Sequence, residues 1–221
     1  MRINRQSVRV LAWVVLFGIS FGFVEASVVV YLRALYYPEG FHLPLKVLSQ
    51  EHIVTEVARE AATIFMLVSV ALIAGSRTWE RFGYFLVIFG VWDILYYVWL
   101  KVVLNWPVSL TEWDILFLIP LPWIGPVIAP ALVALGMVVF GAIIVLRVSA
   151  GEFFRPCLLS WLLSIGATIL LLYSFMSDVA ATTRGQFPVA YRYELLTISL
   201  LMYAAGFVLA CRMPTSRSRS L

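Results

Sequence analysis

Hydrophobic positions in this chain fall in unbroken runs, with no amphipathic stripes or alternation between them. Apolar stretches cover about 10–32, 56–75, 82–100, 127–146, 157–176 and 195–211. Each is close to the roughly 20 residues that a helix needs to cross a bilayer. Inside hydrocarbon a backbone must satisfy its own hydrogen bonds, so helices are the expected element. The pattern predicts an all-α, polytopic integral membrane protein, a bundle of six transmembrane helices. Connections at 76–81 and 148–155 are short and those at 33–55 and 177–194 longer, but none is large enough to bury a core of its own. The expectation is one domain over 1–221, ending in a short disordered tail at 213–221.

One stretch breaks the pattern. Prolines at 120, 122 and 126, with Pro130 beyond, exclude a regular helix over 113–126. A proline-broken interfacial or re-entrant segment is expected there, just before the fourth span. Such a segment is tolerated at membrane depth only where protein or water satisfies its backbone. Its start, Trp113-Asp114-Ile115-Leu116, repeats Trp92-Asp93-Ile94-Leu95, and no wider repeat accompanies the pair. Trp99, Trp106, Trp113 and Trp123 gather around it, either as an aromatic belt at headgroup level or as the entrance for a lipid-like or quinone-like substrate.

Composition strengthens the membrane reading. The chain is 62% hydrophobic and 13% charged, against about 45–50% and about 25% in soluble domains. The net charge of +4 does not indicate a nucleic-acid partner, because the basic residues are confined to short segments between apolar runs. They act as orientation signals. With the N-terminus inside, ten basic and two acidic residues lie on the cytoplasmic side, and six basic and ten acidic on the outer side. Both termini are then cytoplasmic. Residues 1–26 have the layout of a cleavable signal peptide, but the apolar run continues to 32 and reaches span length. Cys157 and Cys211 have no metal-ligand spacing and read as small membrane residues.

Acidic residues inside the spans are the candidate chemistry, since a carboxylate in hydrocarbon is costly and faces a partner or the bundle interior. Glu25 lies fifteen residues into the first span and Glu60 fifteen before the end of the second, or about 22 Å at helical rise. Asp93 lies eleven residues into the third, about 16 Å. Three acids on three helices thus fall in nearly one outward layer. Gly18, Gly22 and Ala26 form a small-residue face beside Glu25. His52, Glu56 and Glu60 follow at i, i+4 and i+8 on one helix face, with Arg59 and Thr63 nearby. Tyr96 and Tyr97 stand one turn beyond Asp93. The candidate polar site is therefore Glu25, Arg59, Glu60, Asp93, Tyr97 and Asp114.

Three functions fit these residues. Glu25, His52, Glu56, Glu60 and Asp93, with Asp114, are ligand types for a divalent metal such as iron or manganese. No Glu-x-x-His lies on a helix, since Glu39-Gly40-Phe41-His42 falls in a loop, and zinc is disfavoured by only two histidines. Intramembrane acids beside small residues and a broken segment also suit a proton- or ion-coupled transporter. The third reading pairs the acids with Arg33, Arg59, Lys101 and tyrosines, holding helices in register within an accessory or scaffold subunit of a membrane complex. The expected partners are the lipid bilayer and other membrane proteins or further copies of the chain. His-Glu-x-x-His does not occur, and the one Gly-x-Ser-x-Gly, Gly18-Ile19-Ser20-Phe21-Gly22, lies inside the first apolar run and makes no strand-to-helix elbow.

Overall fold

The computed structural model describes residues 5–39, 50–119, 121–177, 179, 184 and 190–212. The expected tail at 213–221 and the Glu39–His42 spacing fall wholly or partly outside them. The helices are α1 (Arg5–Tyr36), α2 (Gln50–Ala74), α3 (Thr78–Leu104), α4 (Ile128–Ser149), α5 (Leu158–Met176) and α6 (Tyr193–Arg212). All six are long and apolar enough to cross a membrane.

α3 is the central helix. The small-residue stripe of α1 is where α1 meets it: Gly18, Gly22 and Ala26 are all buried. A β-carbon on Gly18 would stand 2.9 Å from the Val91 side chain, and one on Gly22 would stand 3.0 Å from the Trp92 carbonyl. Absence of side chains there lets the two backbones close up. The main core lies behind this contact, where Val14 of α1 and Leu67 and Ala71 of α2 pack on Tyr84, Val87, Ile88, Val91 and Trp92 of α3 and Val145 of α4. α5 and α6 pack chiefly on each other.

The bundle has two chemically different ends. At one, Arg77 donates to the Val148 carbonyl, Arg81 to that of Gly75 and Arg147 to that of Cys211. Each carbonyl terminates or follows a helix, where such groups lack intrahelical partners and cations are favoured. The opposite end carries the acidic cluster.

The segment before α4 is more regular than a broken loop. Trp113–Phe117 and Trp123–Pro126 form strands β1 and β2 of an antiparallel hairpin. Asp114 lies opposite Gly125 and Ile115 opposite Ile124, with an irregularity between Ile115 and Phe117. Tryptophan, isoleucine and phenylalanine suit a pleated surface, and Pro126 sits at a strand end where its missing N–H costs little. Among the described residues this hairpin is the one addition to an otherwise helical architecture. It lies across the acidic end and seats Gly125 on the Phe175 ring of α5.

Candidate functional site

The acidic end is a set of linked ion pairs. Arg33, in the last turn of α1, reaches Asp114 of β1 with Nη2 3.2 Å from Oδ1, and both residues are buried. The Trp106 ring lies 3.7 Å from the same guanidinium. Tyr96 of α3 donates to Oδ2 of Asp114 at 3.4 Å, and Tyr97 donates to the same carboxylate. One aspartate therefore joins α1, α3 and the hairpin. Burial is the largest influence on it and pushes its carboxyl up to about 6. Arg33, the Ile115 N–H and the two tyrosine hydroxyls pull the value back.

Beside it, Arg59 of α2 binds Glu25 of α1 through Nη1 and Glu56 of its own helix through Nε and Nη2, the latter contacts at 2.8 Å. One helical turn separates Glu56 from Arg59, so one guanidinium serves both acids. Glu60, also buried, accepts the Leu118 N–H at 2.8 Å. Leu118 directly follows β1, so α2 too is fastened to the hairpin. Four of the candidate acids, Glu25, Glu56, Glu60 and Asp114, thus have partners on named elements.

Asp93 does not. Among the described residues it has no ion pair and no hydrogen bond, and it lies within electrostatic reach of Asp114. Tyr96 stands in the combined field of Asp114, Arg33, Glu25 and Asp93, which ties the two halves of the cluster together. Among the described residues five carboxyl groups, those of Glu25, Glu56, Glu60, Asp93 and Asp114, meet two guanidiniums, those of Arg33 and Arg59, an excess of acids over cations.

The expected metal-ligand set is not gathered. Among the described residues no three of His, Cys, Asp and Glu lie close enough together to hold a metal ion. Two features of the structure account for it. Arg59 stands between Glu25 and Glu56, and His52 is exposed and pairs through Nδ1 with the Tyr36 hydroxyl. Lys101, an expected partner for the acids, instead donates to the carbonyls of Asn105 and Pro107. The four tryptophans are all partly buried against protein: Trp99 donates to the Ile19 carbonyl, Trp106 covers Arg33, and Trp113 and Trp123 pack on Tyr191 and Phe175.

Scans against protein-family models, curated proteins and solved structures return no match to this chain.

Proposed function

We propose that this is a multi-pass integral membrane protein, with both termini cytoplasmic, that serves as a scaffold or accessory subunit of a membrane complex. In this reading the outward polar cluster is a clamp. It fixes the hairpin over the helix ends and presents it to a partner protein. The observation that carries the proposal is the pairing itself: Arg33, Arg59, Tyr96 and the Leu118 N–H occupy four of the five acids, and these contacts cross between α1, α2, α3 and β1. Groups engaged in this way hold elements in place and are withheld from substrate. The arrangement gives a divalent metal no comparable support.

Native mass spectrometry of the protein released from membranes in mild detergent tests this reading. A defined complex of fixed stoichiometry is expected from the parent. Asp114→Asn is expected to keep its helices and lose the partner. Recovery of the parent as a lone monomer from every mild detergent contradicts it, and recovery of a homo-oligomer would make the partner a second copy.

One observation favours a second reading, cation- or proton-coupled transport. Asp93 is a carboxyl group with no counter-cation among the described residues, in a described cluster where carboxyl groups outnumber guanidiniums. Proton flux in reconstituted vesicles that Asp93→Asn abolishes, with folding intact, would favour transport over the scaffold.

A further inference from the structure

A second feature lies between helix pairs of the bundle. A half-open cavity of about 670 Å³ separates α3 and α4 from α5 and α6. Its walls are apolar, with Phe82, Val139, Phe140, Ile165 and Phe207 among the side chains lining it. The hydroxyls on its walls are largely engaged already. Thr168 bonds the Ser164 carbonyl and the Tyr203 hydroxyl, and Ser160 pairs with Cys157. Little remains there to hold a polar ligand. Gly136 of α4 also opens onto the cavity, since a β-carbon there would touch nothing within 4 Å.

The dimensions suit a hydrocarbon chain. On α4 the lining runs from Leu132 to Ile144, about 18 Å at helical rise. On α6 it runs from Leu200 to Ala210, about 15 Å. One leaflet of hydrocarbon is about 15 Å deep. At the basic end the lining includes Phe154 and Pro156, and Arg155, between them in the chain, is exposed. Arg155 lies over the Phe153 ring and makes no ion pair among the described residues. An exposed cation beside one end of a leaflet-deep apolar groove complements a lipid carrying an anionic phosphate headgroup.

We propose that this groove holds an acyl chain of one anionic bilayer phospholipid, with the lipid phosphate paired to Arg155. The assignment rests on the membrane-spanning reading above. It does not depend on the role given to the acidic cluster. The lipid would fill the gap where α5 and α6 touch the rest of the bundle least, joining the two halves.

Titration of the detergent-purified protein with phosphatidylglycerol or phosphatidylcholine, followed by native mass spectrometry, tests the site. One phosphatidylglycerol is expected to be retained in preference to phosphatidylcholine. Gly136→Phe fills the groove from α4 and should weaken retention about tenfold, the effect of excluding roughly two methylenes. Ile165→Trp fills it from the exposed face of α5 and keeps the test alive should Gly136→Phe fail to fold. Arg155→Gln should erase the headgroup preference. Equal retention of the two lipids by the parent, or undiminished retention in a folded groove-filled variant, overturns the site. Release of the parent from membranes by alkaline carbonate would instead overturn the membrane reading, so the two failures are distinguishable.

Discussion

Arg33 and Asp114 stand 81 residues apart in the chain and meet as a buried ion pair, with Trp106 across the face of the guanidinium. This contact ties the end of α1 to the first strand of the hairpin. Removing one partner strands the other charge. Asp114→Ala is therefore expected to destabilise the protein by about 3–5 kcal/mol, as broken buried pairs do, whereas the apolar double variant Arg33→Met/Asp114→Leu should recover much of the loss. Thermal or denaturant unfolding in detergent measures all three differences.

The same aspartate predicts a pH dependence. Its carboxyl in the folded protein is pushed up from the ordinary 3.8 to about 6, chiefly by burial. Between these values the folded state keeps a proton that the unfolded state has released. The stability this proton contributes is complete below the unfolded value and is lost as pH rises through about 6. Its size is on the order of 2–3 kcal/mol. The difference in stability between the parent and Asp114→Asn should thus change between pH 4 and 6 and level off above. A difference that stays flat across this range would contradict the environment assigned to Asp114.

Glu60 separates charge from hydrogen bonding. Glu60→Gln keeps a side-chain oxygen to accept the Leu118 N–H and is expected to fold with little loss. Glu60→Ala leaves that N–H without its partner, at a cost of about 1–3 kcal/mol. Hydrogen exchange at the Leu118 amide reads the contact directly. Protection should survive in the glutamine variant and fall in the alanine variant.

Two glycines of the α3–α4 region should respond in opposite directions. A β-carbon on Gly90 would lie 2.4 Å from the Ala134 carbonyl, whereas one on Gly136 would meet nothing. Gly90→Ala must push the helices apart and should cost about 1–3 kcal/mol. Gly136→Ala should be neutral or gain up to about 1 kcal/mol from helix propensity. Melting temperatures of the two purified variants give the comparison.

The sequence made the helices legible because length and hydrophobicity alone separate a spanning run from its flanks. The stripe at Gly18, Gly22 and Ala26 was legible for a similar reason: close backbone approach demands small residues at a fixed spacing, and α3 lies against it. The layer of acids was legible from helical rise. Their partners were harder to read. Asp114 sits in a strand whose register is set by cross-strand pairing with 123–126, and tryptophan-rich residues between prolines do not announce a hairpin. Spacing placed His52 on a line with Glu56 and Glu60, but a shared helix face does not bring side chains to a common point. Tyr36 takes His52, and Arg59 takes Glu56. The Leu118 N–H, a backbone donor, carries no signal in residue type at all.

Four of the five clustered acids are engaged across elements, and the Glu25–Arg59 pair probes that engagement most directly. A double-mutant cycle with Glu25→Gln, Arg59→Gln and the combined variant measures their coupling free energy in unfolding experiments. Favourable coupling of about 1 kcal/mol or more is expected, with Arg59→Gln the more damaging single change because it also releases Glu56. Additive effects with no coupling, in variants that remain folded, would contradict it.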